Sequence, residues 1–238
     1  MTDSIIHWPT TVLPPGEVQA NLTPFTRSGG RTLGGIDRVI RTDRGHWGLS
    51  LEQVPVYSAA QHRTWNALRT RLGGRAGLIA VPALSFKSAP FVSGQREPAV
   101  LSSHDDDTSF DDSTEYAQGA IDIRMASYAP LGATVVTLSL VYAASVVGIR
   151  FSYQHALYET GPILAQSGET TLQVPVFPAI RQPIPAGAHL EVDAPTCLCR
   201  LRDDAGMDIS EGITPLLRPS VAFVEAVDYW NDLVLEVA

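Results

Sequence analysis

The sequence GHWGLSLEQVPVYSAAQHRTWNALRTRLGGRAGLIAVP, residues 45–82, decides the fold of the chain around it. Its first part alternates Trp47, Leu49 and Leu51 with small or polar residues, which is the period-2 pattern of a half-buried strand. Its last apolar run, residues 78–81, predicts a second short strand. The stretch therefore begins and ends with a strand and leaves room for a helix between them.

The segment between these strands has the start and stop signals of a helix. Ser58 is followed three residues later by Gln61, which is the spacing of a capping box. Three apolar side chains fall on one helical face, namely Trp65, Leu68 and Leu72. Gly73 then ends the pattern, because glycine readily adopts the left-handed conformation that closes a helix. We predict one amphipathic helix at about residues 59–72.

The segment before this stretch is rich in glycine. Residues 25–35 include Gly29-Gly30 and Gly34-Gly35. A phosphate-cradling loop needs a helix directly after it, whereas residues 36–42 have a strand pattern. We therefore expect a turn over residues 25–35 and no phosphate site, and we read Asp43-Arg44-Gly45 as a hairpin turn into the next strand.

Strand patterns resume after residue 119 and continue to the end of the chain. The last two predicted strands are residues 220–226 and 233–237. Residues 131–149 carry no charge, but their β-branched content favours strands over a membrane helix. The regular alternation of strands and turn residues predicts a mainly β fold, with antiparallel β-sandwich or barrel modules and one amphipathic helix.

Changes in composition divide the chain. Residues 1–24 contain four prolines and predict an extended N-terminal arm, which is either a strap on a neighbouring subunit or a partly ordered terminus. Residues 25–84, together with the C-terminal residues 218–238, are expected to form a core module. Residues 85–118 read as an acidic loop or linker, and residues 119–217 as a second β-sandwich or barrel module.

Charge and cysteine content limit the partners. A net charge of −8 and a pI near 5.2 oppose binding to phosphate backbones, so we expect no nucleic-acid partner. Cys197 and Cys199 are only two residues apart, which is a poor geometry for a disulfide and favours two free buried thiols. Residues 1–8 lack the pattern of a signal peptide, and no membrane span is expected.

The acidic run near residue 105 is the one candidate for metal chemistry. Asp105, Asp107 and Asp111 offer the carboxylates that Ca²⁺ prefers, but the glycine and final glutamate of an EF-hand loop are missing. We interpret the run as a solvated loop and keep an acidic-loop hydrolase as the remote alternative. The six histidines have no metalloprotease spacing and no nucleophile elbow is present. We therefore predict no catalytic residue, no cofactor and no enzyme.

Several local patterns resemble passages of distal-tail-type minor tail proteins, which lie in the tail tip of long-tailed bacteriophages and prophages. The first three are Phe25-Thr26-Arg27-Ser28-Gly29-Gly30, then Arg63-Thr64-Trp65-Asn66-Ala67-Leu68 with Leu72-Gly73-Gly74-Arg75-Ala76-Gly77, and then His155-Ala156-Leu157-Tyr158 with Ile184-Pro185-Ala186-Gly187. Val221-Ala222-Phe223-Val224-Glu225-Ala226 resembles the closing strand of those proteins. The resemblance spans most of the chain outside about residues 85–118.

The resemblance implies a structural protein of the virion tail, made in the host cytoplasm. Proteins of this type form a ring, commonly hexameric, that joins the tail tube to the hub and fibres. The implied partners are thus other copies of the chain, the tail tube protein, the hub and other tail-tip proteins. The residues proposed at these interfaces are Trp8, Pro14, Pro15, Phe25, Trp65, Arg75 and Trp230.

A second hypothesis is a carbohydrate- or receptor-binding β module of the tail. Aromatic side chains stack on sugars when they are exposed, although aromatics spaced along strands more often lie in a core or an interface. The candidates for such stacking are Tyr153, Tyr158, Tyr229 and Trp230. Self-assembly favours the ring connector, whereas glycan binding by a monomer or trimer favours the receptor-binding module.

Overall fold

The computed structural model describes residues 5–31, 33–84, 88–97, 100–102, 116–118, 120–210 and 217–237. The fold is mainly β, with 43% of residues in strands and 12% in helices, which confirms the predicted fold class. The chain divides into two compact units. The first unit comprises Met1–Leu84, Gln154–Leu157 and Thr196–Ala238, and the second comprises Ser85–Tyr153 and Tyr158–Pro195.

The described residues form fourteen strands and two helices. In chain order, the strands are β1 (Ile6–His7), β2 (Glu17–Arg31), β3 (Asp37–Glu52), β4 (Ile79–Pro82), β5 (Val100–Ser102), β6 (Tyr116–Gln118), β7 (Asp122–Met125), β8 (Val135–Tyr142), β9 (Arg150–Tyr153), β10 (Ala156–Thr160), β11 (Ala165–Ser167), β12 (Thr171–Phe177), β13 (Thr196–Leu201) and β14 (Val221–Glu225). The helices are α1 (Ala59–Leu72) and α2 (Val227–Val237), and Gly74–Ala76 forms a short 3-10 turn.

The first unit is built on a six-stranded sheet with the order β1-β4-β13-β14-β3-β2. β1 pairs with β4 in parallel, and the other neighbours in this sheet are antiparallel. The opening stretch supplies the core of this unit, because Trp47, Leu49 and Leu51 on β3 are almost completely buried. The second unit has its own sheet, with the order β7-β8-β12-β10-β9 and with β11 paired to β12.

Helix α1 has the predicted bounds and the predicted caps. The backbone N–H of Gln61 donates to Ser58 Oγ at 3.2 Å, and the Ser58 N–H donates to Gln61 Oε1 at 3.0 Å, which completes the capping box. Gly73 lies in the left-handed region with φ of 55°, and its N–H donates to the Arg69 carbonyl. The apolar face of α1 lies in the core, where Trp65 donates its Nε1 proton to the Met207 carbonyl at 2.9 Å.

Helix α2 corrects the sequence analysis, which predicted a strand at residues 233–237. The apolar run at residues 233–235 is too short to distinguish the two periods. Asp228 and Asp232 are four residues apart, which places them on one polar helical face. Among the described residues, neither helix is long and apolar enough to cross a membrane.

The described part of the N-terminal arm packs on the core of its own chain. Trp8 is 4% exposed, donates its Nε1 proton to the Leu13 carbonyl at 2.8 Å, and packs edge-on against Trp65 and Phe223. β1 extends the same sheet by pairing with β4. A large aromatic side chain therefore anchors this segment.

A pair of histidines sits beside this anchored segment. The rings of His7 on β1 and His155 lie 4.8 Å apart edge to face, and His155 Nδ1 lies 2.8 Å from Thr196 Oγ1. Burial lowers the pKa of His155 below its ordinary value of 6.5, and the nearby His7 lowers it further. The neutral form of His155 is thus the form that the fold favours.

We expect the first unit to lose stability in mild acid. Because the folded-state pKa of His155 is lower than its unfolded-state value, the unfolded chain binds more protons between these two pKa values. The contribution of His155 to stability is therefore complete above pH 6.5 and is lost as the pH falls through the folded-state pKa. Urea unfolding at a series of pH values measures the loss.

The matched control for this prediction is His155→Asn. His155 has φ of 69°, a conformation that asparagine tolerates, so the variant removes the titration while keeping the backbone. The pH dependence should be weaker in this variant. An unchanged pH dependence would contradict the assignment to His155.

Candidate assembly surface

The hairpin formed by β2 and β3 has two halves with different surroundings. In the proximal half, Ala20 lies opposite Leu49, and Leu22 lies opposite Trp47, so this half is part of the core of the first unit. In the distal half, residues 25–31 of β2 and 37–42 of β3 are all exposed. The same two strands therefore leave the core and continue as a two-stranded ribbon.

An irregularity marks the point where the ribbon leaves the core. Thr23 lies opposite His46, but the next pair is Phe25 with Thr42, so β3 contains two more residues than β2 between these pairs. Such a bulge bends and twists a ribbon. Proline at position 24 suits this place because it cannot donate to a regular ladder.

Of the two turn predictions in this region, the one at residues 43–45 was wrong and the one at residues 25–35 was right only for its last residues. Residues 43–45 lie inside β3 at the bulge, and the hairpin turn lies instead between Arg31 and Asp37, with Gly35 at φ of 80°. Residues 25–31 were expected to be a turn but form the distal part of β2. The glycine pair at 29–30 produces a second register shift within the strand, which the sequence does not distinguish from a turn.

The distal ribbon has one face that is basic and apolar. Residues directly opposite each other in a ladder share a face, so Phe25 with Thr42 and Arg27 with Ile40 lie together. Arg38 has the same parity on β3 as Ile40 and Thr42. We call this set the arginine face: Phe25, Arg27, Arg38, Ile40 and Thr42.

The opposite face of the ribbon carries the acidic groups of the hairpin. Asp37 accepts a hydrogen bond of 2.6 Å from Ser28, and Asp43 forms a salt bridge of 3.8 Å with Arg41. No described acidic side chain lies within ion-pair distance of Arg27 or Arg38. The arginine face therefore presents positive charge without a described carboxylate to balance it.

Large apolar side chains are exposed along the ribbon and at its tip. Their exposed fractions are 61% for Phe25, 112% for Leu33, 60% for Ile36, 59% for Val39 and 67% for Ile40. An isolated two-stranded hairpin is only marginally stable in water, and a cluster of exposed apolar residues is typical of an interaction site. This ribbon therefore has the properties of a surface that another molecule covers.

No protein-family model matches the chain, and no curated protein matches it.

The predicted interface residues lie in two kinds of environment. Phe25 lies on the arginine face, Pro14 and Arg75 are exposed, and Pro15 is partly buried. The three tryptophans belong to the core, with exposed fractions of 4% for Trp8, 0% for Trp65 and 3% for Trp230. Apolar rings of this size are buried within the chain itself and are not exposed contacts.

The sequence analysis missed the arginines of the ribbon as interface candidates. Residues 25–44 carry five arginines and two aspartates, a net charge of +3, in a chain whose net charge is −8. This local reversal of charge is the sequence feature that could have identified the ribbon as an interface candidate. Arginine is also enriched at protein interfaces, since its planar group makes several hydrogen bonds at once.

Outside the hairpin, the described residues give little indication of a metal site or of another chemical site. The described residues contain no group of three or more side chains suited to hold a metal ion. Asp105, Asp107 and Asp111 lie outside the described residues. Cys197 and Cys199 are buried and are not linked in a disulfide, as predicted.

Most of the aromatic residues proposed for sugar binding are buried or packed against other side chains of the chain. Tyr158 is fully buried, and its hydroxyl accepts a hydrogen bond of 2.8 Å from the Arg181 backbone N–H. Trp230 is buried and packs edge-on against Tyr229 at 5.0 Å. Among the described residues of the second unit, the large exposed aromatics are instead Tyr128 and Tyr142, which are 60% and 48% exposed.

Proposed function

We propose that this chain is a structural protein of a phage tail tip, and that copies of it assemble into a ring that connects the tail tube to the hub and fibres. The observation that carries the proposal is the exposed distal half of the β2–β3 hairpin. The resemblance of the sequence to distal-tail-type proteins supplies the biological setting, and the hairpin supplies a physical means of assembly.

The hairpin supports assembly for an energetic reason. Each large apolar side chain transferred from water to an interface contributes about 1.5–3 kcal/mol when fully buried. The ribbon and its tip expose five such side chains. Burying those on even one face would therefore contribute a favourable free energy several times larger than RT. A strand ribbon anchored at one end by the proximal core also presents this surface without the full entropic cost of ordering a loose segment.

The proposal predicts that the purified full chain forms closed oligomers. We expect light scattering to give a mass that is a fixed multiple of 25.6 kDa, and negative-stain electron microscopy to show rings. A chain that remains monomeric at all concentrations and does not bind isolated tail tubes would contradict the proposal. Rings of three or six copies would both agree with it.

A receptor-binding module is the second candidate, and exposed Tyr128 and Tyr142 favour it. Aromatic rings contribute to sugar binding when they offer a flat, accessible surface. This function predicts binding to glycans by the monomer, with loss of binding in Tyr128→Ala or Tyr142→Ala. A glycan array with the wild-type chain and these variants separates the two functions.

A further inference from the structure

We infer that the arginine face of the hairpin binds the acid-rich second unit of another copy of this chain. The inference rests on the proposed function and adds the identity of the two surfaces. The contact is then heterologous, because the arginine face of one copy binds a different surface, the second unit, on the next copy.

The arginine face carries positive charge that no described carboxylate balances. Arg27 and Arg38 lie on one face of the ribbon, while the aspartates of the hairpin are bound on the opposite face by Ser28 and Arg41. Opposite charge on the partner therefore gives the most favourable contact.

The second unit has the opposite charge. Residues 85–153 and 158–195 together carry twelve acidic and five basic residues, a net charge of −7, compared with −8 for the whole chain. Among the described acids, burial raises the pKa of Asp193, the hydrogen bond from the Ile121 backbone N–H and the nearby His189 lower it, and repulsion from Glu191 and Glu97 adds to the rise. A guanidinium from another copy would relieve this repulsion.

Contact between two identical hairpin faces is electrostatically unfavourable. Such a contact would bring together two positively charged faces, each carrying Arg27 and Arg38. Like charges at an interface oppose association. A symmetric dimer built on this face is therefore disfavoured. A heterologous contact instead repeats around an axis and closes into a ring when the rotation permits.

The composition of the arginine face suits a protein partner. Phe25 and Ile40 are diagonal neighbours across the two strands, with arginines beside them. Interfaces typically bury apolar or aromatic anchors at their centre and place charged groups around them. We therefore assign Phe25 and Ile40 the anchoring role, and Arg27 and Arg38 the selection of an acidic surface.

Charge reversal tests the arginines. The double variant Arg27→Glu/Arg38→Glu should raise the concentration needed for assembly by about tenfold or more, because attraction becomes repulsion. The matched control is Arg63→Glu, since Arg63 is exposed and belongs to α1, not to the hairpin. Circular dichroism of each variant establishes that it is folded.

Two neighbouring apolar residues test which face is used. Ile40 lies on the arginine face and Val39 on the opposite face, and their exposures are similar at 67% and 59%. Ile40→Ser should weaken assembly by about tenfold, whereas Val39→Ser should change it little. Equal effects of the two variants would overturn the assignment to the arginine face.

A zero-length cross-link identifies the receiving surface. The chain has a single lysine, Lys87, so Arg38→Lys adds one side-chain amine while keeping the charge. Carbodiimide coupling in a mixture of ¹⁴N- and ¹⁵N-labelled protein should join this new amine to a carboxylate within residues 85–195 of a different copy. Coupling only within one copy, or only to other segments of the partner, would overturn the inference.

The outcomes separate this inference from the proposed function. A wild-type chain that forms rings, together with charge-reversal variants that form them equally well, would refute the inference and leave the ring intact. A wild-type chain that never self-associates would refute both. Loss of assembly in the arginine variants alone would support both.

Discussion

Trp47→Ala is expected to cost the first unit about 3–5 kcal/mol of unfolding free energy, which is the usual cost of removing a large aromatic side chain from a core. Trp47 is fully buried on β3, and its indole N–H donates a hydrogen bond of 2.8 Å to the Leu157 carbonyl. Most domains are stable by only about 5–15 kcal/mol, so the first unit should be largely destabilised. Urea denaturation measures the change.

Two variants define the limits of this prediction. Trp47→Phe keeps most of the ring volume but leaves the Leu157 carbonyl without its indole donor, so about 1–3 kcal/mol should be lost. Leu164→Ala removes a side chain that is 56% exposed in the second unit and should cost well under about 1 kcal/mol. A loss below about 1 kcal/mol for Trp47→Ala would contradict the central place of this residue in the core.

Removing the distal ribbon should abolish self-assembly and preserve the fold. Thr23 and His46 lie directly opposite each other, so residues 24–45 can be replaced by Asn-Gly, which suits a two-residue hairpin turn. The proximal half of the hairpin and its buried side chains remain, since the buried residues Trp47, Leu49 and Leu51 of β3 lie outside the replaced segment. The expected product is a folded monomer by light scattering and circular dichroism.

The truncation separates assembly from folding. A truncated chain that unfolds would show that the ribbon stabilises its own subunit. A truncated chain that still forms oligomers of the wild-type mass would show that another surface holds them together. Only the second result would show that the ribbon is not the element that joins the copies.

Local signals in the sequence predicted helix α1 because its determinants are all local. The Ser58–Gln61 capping box, the apolar spacing of residues 65–72 and the Gly73 stop lie within one short segment. Helix α2 was missed because a short apolar run fits either period, and burial of Trp230 in the core favours the helical one.

The candidate assembly surface was only partly predictable, because its determinants are not local in the sequence. Phe25 was identified, but Arg38 and Ile40 were not, because a turn was expected where β2 continues. Which residues share a face depends on the register of β2 with β3, and two irregularities shift that register. The core tryptophans were assigned to an interface because burial cannot be read from residue type alone: Trp8 is covered by Trp65 and Phe223, which lie far away in the sequence.

The most direct test of the account is amide hydrogen exchange on the distal ribbon, residues 25–42, in assembled protein and in the same protein diluted to monomer. An isolated ribbon opens readily, so its amides should exchange rapidly in the monomer and about tenfold or more slowly once another copy covers it. The buried end of the same hairpin, residues 47–51, should exchange slowly in both states. Equally rapid exchange of the ribbon in the monomer and in the assembly would contradict the claim that it joins one copy to the next.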